Sequence, residues 1–176
     1  MVAAEKNQNP ANMAREFIKQ YLENGRLPAV PDTLPPDYQA QGGVFVCLKK
    51  GKDLRGCIGT VEPVRPNLAE EIAANAVSAS IRDPRFPPLS REELSEISVS
   101  VDILGPMEPI ESEEELDPKK YGVLVRSGLS SGLLLPDIEG VDTARKQVEI
   151  ARSKAGIPAG KPADLYRFLV TRYEED

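Results

Sequence analysis

An apolar run, a polar turn and a second run of β-forming residues restrict this chain to folds that contain a β-hairpin. Residues 43–48 are uncharged and rich in β-forming side chains, which indicates a buried strand. The polar, glycine-containing residues 49–53 form the turn, and residues 54–60 form the returning strand. If the turn consists of three residues, 51–53, Cys47 lies opposite Cys57 on one face, close enough for a redox pair.

The remaining periodicities add helices and strands that do not alternate regularly. Residues 97–104 alternate apolar and polar side chains, the pattern of a strand with one face in water. Further strands are predicted at 121–126 and 132–135, joined by the Ser/Gly loop 127–131, and at 165–173. Three main helices are predicted, at 10–25, 66–83 and 143–155. Their N-terminal signals are Asn9 as N-cap, Asn67 and Glu70 in capping-box spacing, and Asp142 or Thr143 as N-cap. A short helical turn is predicted at the capping box of Ser90 and Glu93.

This order of elements predicts an α+β fold with a mixed or antiparallel sheet, hairpins and about three main helices, rather than a doubly wound parallel sheet. A chain of 176 residues forms one domain by its length, so we expect a single domain over residues 1–176. Residues 1–25 carry its N-terminal helix. Residues 26–41 form a Pro-rich connector, in which the four prolines of residues 27–36 predict an extended stretch on the surface.

The complete lack of histidine excludes whole classes of catalytic and metal site. Imidazole is the usual general base, the usual activator of a serine or cysteine nucleophile and the commonest metal ligand. Ser-His-Asp catalysis, Cys-His catalysis and zinc bound through histidine are therefore excluded within this sequence. Two cysteines are also too few for an all-thiolate zinc site, so we predict no metal and no cofactor.

Charge and hydropathy predict a protein without membrane contact. Residues 1–7 lack the apolar core of a signal peptide, and no apolar run approaches the roughly 18 residues of a membrane span. We therefore expect a cytoplasmic protein, in which the two cysteines are thiols rather than a disulfide. The formal net charge of -6 argues against nonspecific binding of nucleic acid, which requires a basic surface.

The most unusual stretch is residues 54–59, called here the 54–59 segment, in which two glycines flank a Cys-Ile pair. A glycine within a strand marks a bulge or a close approach by another backbone or a ligand. Backbone N–H groups beside an arginine are also able to bind an anion. The alternative is a tightly packed strand whose cysteine is a small buried apolar side chain. The candidates are Cys57 as catalytic thiol and, for binding, Arg55, Gly56, Ile58 and Gly59.

A second candidate element is the 83–88 turn, which reads Asp-Pro-Arg-Phe-Pro-Pro and follows the helix predicted at 66–83. Its prolines make the backbone rigid. If this turn folds over the 54–59 segment, Arg55 with Arg82 or Arg85 surrounds a pocket that has the thiol of Cys57 at its base. Arg82, Asp83 and Arg85 are therefore further candidate binding residues. The alternative is that Arg82, Asp83 and Arg85 form a structural salt bridge that braces the end of the helix.

Together these residues resemble the AMMECR domain family, known in prokaryotes as the A component of the AmmeMemoRadiSam system. The likeness rests on the string Leu-Arg-Gly-Cys-Ile-Gly at 54–59, which is the signature of that family, on the 83–88 turn, and on residues 65–68, 121–123 and 132–136. It runs from about residue 42 to residue 173 and implies a single AMMECR-type α+β domain with one large and one small lobe. It also implies a site at the 54–59 segment and the 83–88 turn, without assigned roles.

The resemblance further implies two partners, a Memo-type protein similar to extradiol dioxygenases and a radical S-adenosylmethionine (SAM) protein, and a part in RNA modification or another basic process. Two functional hypotheses follow. The first is an enzyme or enzyme subunit whose thiol pocket binds an anionic small molecule or nucleotide. The second is a non-catalytic adaptor that presents the 54–59 segment and its arginines to those partners. RNA binding is a third hypothesis, suggested by a weak GxxG match at residues 56–59.

Overall fold

The computed structural model describes residues 9–31 and 33–176 and divides the chain into two compact units. The first unit comprises Met1–Ile103 together with Arg172–Asp176, and the second is Leu104–Thr171. Residues 1–8, which include the region predicted to lack a signal peptide, lie outside the described residues, as does Asp32 of the connector. None of the helices within the described ranges is long and apolar enough to cross a membrane.

Helices and antiparallel sheets are both present, which confirms the predicted α+β fold class. The α-helices within the described residues are α1 (Pro10–Asn24), the short α2 (Pro36–Gln39), α3 (Leu68–Ile81) and α4 (Ala144–Lys154), and short 3₁₀ helices lie at Glu92–Ser95 and Glu113–Glu115. The strands there are β1 (Val44–Lys50), β2 (Asp53–Thr60), β3 (Ile97–Leu104), β4 (Glu108–Ile110), β5 (Gly122–Ser127), β6 (Ser130–Leu134), β7 (Asp164–Phe168) and β8 (Val170–Glu174). One sheet has the order β2-β1-β3-β8 and the other has the order β4-β7-β5-β6.

The first helix begins and ends where the sequence predicts. The side chain of Asn9 accepts the N–H of Ala11 at 2.8 Å, and Pro10 occupies the first helical position. Gly25 ends α1 in the left-handed conformation, with φ of 66°. Phe17 and the rest of the buried face of α1 pack into the core of the first unit.

The short helix α2 begins at the end of the connector stretch that was predicted to be extended. The side chain of Tyr38 in α2 is buried and belongs to the core of the first unit rather than to the surface. This burial, with Tyr173 and Asp37 as lesser causes, raises the pKa of the Tyr38 hydroxyl to about 12. The connector therefore turns into the core just after the stretch predicted to be extended, because an apolar ring at Tyr38 is available to fill the core.

The hairpin of β1 and β2 has a tighter turn than the three-residue turn predicted. Lys50 pairs with Asp53, so the turn contains only Gly51 and Lys52. Gly51 has a φ of 61°, a conformation that two-residue hairpin turns require and that glycine adopts without steric cost.

A β-bulge compensates for this shorter turn. The pairing shifts by one residue between Leu48 and Lys49 of β1, so that β2 carries one extra residue at this point, Arg55. Beyond the bulge, Cys47 lies opposite Cys57, which confirms the predicted register of the two cysteines. The turn is one residue shorter than predicted and β2 contains one extra residue, so the pairing of the two cysteines is unchanged.

The third helix lies against β2 at very short range. Asn67 caps α3 as predicted, since its side chain accepts the N–H of Glu70 at 2.9 Å. Near the other end of α3, a Cβ atom placed on Gly56 would lie 2.2 Å from the carbonyl oxygen of Ala79. Only glycine fits at this position, which confirms that a strand glycine here marks the close approach of another backbone.

Two strand predictions need correction. β3 has the predicted bounds, but Asp102 is buried rather than exposed to water, because Arg172 of β8 donates to both of its carboxylate oxygens at 2.7 and 2.8 Å. The strand predicted at 165–173 is in fact two strands, β7 and β8, which are interrupted at Leu169 and belong to different sheets. A local pattern does not report which sheet a strand joins.

In the second unit, α4 packs against the hairpin of β5 and β6. Thr143 rather than Asp142 caps α4, and the hairpin turn consists only of residues 128–129, shorter than the predicted loop. Gly132 of β6 faces α4, where an added Cβ would lie 2.0 Å from the carbonyl oxygen of Ala151. The second unit therefore also uses a strand glycine to bring a helix backbone into contact with its sheet.

Candidate functional site

The 54–59 segment lies within β2, with its cysteine on the sheet face opposite the helices. The side chains of Val44, Val46 and Leu48 on β1 point into the core of the first unit, so Cys47 lies on the other face. Cys57, paired with Cys47, shares that face and is half-buried. The interpretation of Cys57 as a buried core side chain is therefore wrong.

The structure joins the two cysteines. A disulfide links Cys47 and Cys57, whose Cα atoms are 4.1 Å apart, so neither is a free thiol. The expectation of two thiols is wrong because the hairpin holds the side chains directly opposite each other, which removes most of the entropic cost of joining them. Chemistry by a thiol at Cys57 would require reduction of this bond.

The 83–88 turn contacts the 54–59 segment through Asp83 and Arg85, a contact that the sequence left open. One carboxylate oxygen of Asp83 accepts the backbone N–H of Cys57 at 2.9 Å, and Nη2 of Arg85 donates to the carbonyl oxygen of Cys57 at 3.1 Å. β2 is the edge strand of its sheet. At Cys57, the two side chains therefore take the place of a neighbouring strand, because they satisfy the outward N–H and carbonyl groups.

Asp83 and Arg85 also form the structural salt bridge that was the alternative interpretation of this turn. Nε and Nη2 of Arg85 donate to the two oxygens of Asp83 at 2.9 and 2.7 Å. The hydrogen bond from Arg85 holds the pKa of the buried Asp83 carboxyl well below its usual range, and the N–H groups of Cys57 and Arg85 act in the same direction against the opposing effect of burial. The same pairing raises the pKa of Arg85.

Arg55 is buried and paired with a residue that the sequence did not connect to it. Its Nε and Nη2 donate to the two carboxylate oxygens of Glu93 at 3.1 and 3.0 Å, and this pairing lowers the pKa of Glu93. Glu93 also accepts the N–H of Ser90 at 3.1 Å, which confirms the predicted capping box. Its second role as the partner of Arg55 depends on a contact across 38 residues that no local motif records.

The ring of Phe86 lies beside both arginines. The guanidinium carbon of Arg55 is 5.9 Å from the ring centroid, and that of Arg85 is 5.5 Å from it, both within the range of cation–π attraction. Phe86 was part of the motif of the 83–88 turn but was not a predicted site residue. The signal that could have identified it is an aromatic side chain directly after a conformationally restricted arginine.

The remaining predicted site residues do not join this cluster. Arg82 is exposed, and its side chain makes no hydrogen bond or ion pair with any residue that the structure describes. Ile58 packs against the core of the first unit, and the ring of Phe45 covers Gly59, where an added Cβ would lie 2.3 Å from the ring. The structure therefore brings Asp83 and Arg85 to the 54–59 segment and leaves Arg82 exposed.

The groups that were expected to bind an external anion are thus bonded to carboxylates of the chain itself. The N–H of Cys57 meets Asp83, and the guanidinium groups of Arg55 and Arg85 meet Glu93 and Asp83. Nη1 of Arg55 is buried without a hydrogen-bond acceptor among the described residues. No group of three or more His, Cys, Asp or Glu side chains suited to a metal ion occurs within residues 9–31 and 33–176. The geometry is that of a braced sheet edge with a disulfide beside it.

Comparison with known proteins identifies the family. A sequence model of the AMMECR1 family matches residues 11–175, nearly the whole chain. The chain belongs to the AMMECR1 family. A protein of Thermotoga maritima is 51% identical to this AMMECR1 chain over 164 residues, which cover 92% of the chain and 94% of that protein. A crystal structure of a protein from Pyrococcus horikoshii superposes with a TM-score of 0.89 at 31% identity, covering 98% of this chain and 92% of the other.

One relative is much longer than this chain. A protein of Clostridium acetobutylicum is 48% identical over 165 residues, which cover 93% of the AMMECR1 chain but only 35% of the relative. In that protein, the AMMECR1 domain is therefore a part of a larger polypeptide.

Replacement of Asp83 by Asn should destabilise the protein by about 2–3 kcal/mol at neutral pH, because Arg85 and the N–H of Cys57 lose a buried anion. Since folding lowers the pKa of Asp83, its stabilisation is complete above the pKa of an unfolded aspartate, about 3.9, and is lost as the pH falls through the lower pKa of the folded state. Urea denaturation of both proteins from pH 7 to pH 2 measures this difference. If the difference in the free energy of unfolding between wild type and Asp83→Asn does not become smaller below about pH 4, this prediction is wrong.

Protein purified without reductant should show no titratable thiol after denaturation, and two after reduction. Reduction should lower the free energy of unfolding by about 2–3 kcal/mol, because a cross-link between residues 10 apart restricts the unfolded chain. Thiol titration and urea denaturation measure the two effects. As a control, Cys47→Ser should unfold at the same urea concentration with and without reductant; two thiols in the untreated wild type would refute the disulfide.

Proposed function

We propose that this AMMECR1 chain is a binding module of a multicomponent modification system, rather than an enzyme that is active alone. The observation that carries this proposal is that the reactive groups of the 54–59 segment are engaged within the fold. Cys57 is bonded to Cys47, while Arg55 and Arg85 are paired with carboxylates. A site that must bind and transform a small anion needs such groups free to meet it.

The length of the Clostridium relative supports the same conclusion. There the domain is joined to a further polypeptide that makes up most of the chain, as expected for a module that works beside another protein. We infer that the partners of this chain are a Memo-type protein and a radical SAM protein, and that the system modifies RNA or another cellular component. In this proposal, the partner supplies the catalytic groups and any cofactor.

The surface that we assign to the partner is the exposed part of the 83–88 turn with its neighbours. Arg82 is exposed and unpaired within the described residues, and the side chain of Arg85 is 53% exposed although it is bound to Asp83. Leu54, at the start of the 54–59 segment, adds an exposed apolar side chain. The two arginines, the half-buried ring of Phe86 and the side chain of Leu54 together fit a partner surface that has acidic residues around an apolar centre.

The proposal predicts that this chain binds the Memo-type or the radical SAM protein of its own genome with a dissociation constant at or below about 10 μM. Arg82→Gln should weaken the complex about fivefold without lowering the melting temperature, because an exposed interface charge is lost. Isothermal titration calorimetry of wild type, Arg82→Gln and the control Lys161→Gln, an exposed lysine of the second unit, measures these effects. Turnover by this chain alone, or no complex with either protein, would rule the proposal out.

A second candidate function is thiol chemistry on an anionic small molecule or nucleotide after reduction of the disulfide. The observation that favours it is the half-exposed guanidinium of Arg85, which donates to the carbonyl oxygen of Cys57. A cation beside a thiol stabilises the thiolate, which is the nucleophilic form, and attracts anionic reagents. In this alternative, Cys57 is the nucleophile and Arg85 attracts the anion.

This candidate is tested by alkylation of Cys57 in a Cys47→Ser background, which leaves a single thiol. In this reaction the thiolate displaces iodide, and a thioether forms. We expect the ratio of the iodoacetate rate to the iodoacetamide rate to exceed that of free cysteine severalfold, because Arg85 attracts the charged reagent. Arg85→Gln should abolish the excess, while Arg85→Lys and Arg82→Gln should keep it. A ratio equal to that of free cysteine would eliminate this function.

A further inference from the structure

A second part of the first unit, away from the 54–59 segment in sequence, is a loop that a buried carboxylate holds in place. Glu71 of α3 is almost fully buried, yet Oε2 accepts the N–H groups of Val64 and Arg65, both at 2.8 Å, and Oε1 accepts the hydroxyl of Thr60 at 2.6 Å. A buried carboxylate is stable only with such hydrogen bonds, so the backbone at residues 64–65 is firmly positioned.

The side chains of this loop point outward. Val64 is 70% exposed, and Arg65 is also exposed. The guanidinium of Arg65 makes no hydrogen bond or ion pair with any of the described residues. The fold therefore holds the backbone of Arg65 in place, while its guanidinium has no partner among the described residues.

A cavity of about 210 Å³ lies beside the loop. Its apolar lining, called here the apolar wall, consists of residues 27–30 of the connector and Ala73 of α3. Arg65 and Glu70 provide the charged part of the lining. The volume lies below the range of about 300–1,000 Å³ of sites for drug-sized ligands and above the roughly 150 Å³ of a cavity that holds benzene, so a ligand here is small.

The two charges in this cavity do not neutralise each other. Arg65 and Glu70 form no ion pair, and one carboxylate oxygen of Glu70 accepts the side-chain N–H of Asn67 at 3.0 Å. A carboxylate ligand alone would meet repulsion from Glu70, and an ammonium ligand alone would meet repulsion from Arg65. A molecule that carries both charges complements both side chains.

We propose that this cavity binds a small zwitterion, namely a free α-amino acid with an aliphatic side chain. The carboxylate of the ligand meets Arg65, its ammonium group meets Glu70, and its side chain packs against the apolar wall formed by Leu27, Val30 and Ala73. This ligand chemistry uses the positive charge, the negative charge and the apolar wall together. The site is independent of the proposed partner surface, so either proposal can fail without the other.

The test is a titration of isotopically labelled protein, followed by amide chemical shifts, with leucine, N-acetyl-leucine and leucinamide. The acetyl group removes the ammonium charge, and the amide removes the carboxylate. We expect leucine to shift the backbone amides of the non-proline residues within 27–30 and 64–73 with a dissociation constant of about 1 mM, and each analogue to bind about tenfold more weakly. Equal binding of the three compounds, or no saturable shift with leucine, would overturn the proposal.

Three variants test whether Arg65 binds the carboxylate of the ligand and whether Glu70 binds its ammonium group. Arg65→Gln should weaken leucine binding about tenfold and remove the preference for leucine over leucinamide. Glu70→Gln, which keeps an acceptor for Asn67, should remove the preference for leucine over N-acetyl-leucine. Lys52→Gln, which removes an exposed cation in the turn between β1 and β2, should bind leucine as wild type does. Unchanged leucine binding by a folded Arg65→Gln variant would refute the assignment.

Discussion

The contact between Gly56 and the backbone of Ala79 determines what lies at both ends of α3. Because Gly56 has no side chain, the last turns of α3 lie directly on β2. This brings the 83–88 turn, which follows α3, to the free edge of that strand, where Asp83 reaches the N–H of Cys57. Toward the start of the same helix, Glu71 reaches Thr60 at the end of β2 and the loop beyond it. Both candidate sites therefore depend on one close approach between a helix and a strand.

Charge pairing explains why the 54–59 segment differs from a typical catalytic pocket. A guanidinium that is removed from water needs a carboxylate partner, because the interior does not replace its hydration. Arg55 is buried and finds Glu93, and Asp83 is buried and finds Arg85. The ion pairs that stabilise this sheet edge therefore occupy the guanidinium groups that would otherwise bind an external anion. Arg82 at its margin is exposed instead, and its guanidinium forms no such pair with any residue that the structure describes.

Local signals predicted the elements well and their long-range partners poorly. The caps Asn9 and Asn67, the bounds of the strand at 97–104 and the opposed cysteines all follow from interactions between residues close in sequence, and the structure confirms each of them. The division of residues 165–173 between two sheets is not visible in the sequence, because both strands are rich in β-forming side chains and follow each other with a single residue between them. The burial of Asp102 is equally invisible, since it depends on Arg172, 70 residues away.

The sequence by itself determined the fold class, the position of the hairpin and which residues are chemically unusual, because periodicity, capping and glycine placement act over a few residues. It also identified the AMMECR family resemblance through its motifs, and the family match agrees with it. Only the tertiary structure decided that Cys57 faces away from the core, that it is bonded to Cys47, and that Arg55 belongs to Glu93. Those outcomes depend on which strand face meets the helices and on which charges become buried together, and both are set when distant parts of the chain pack.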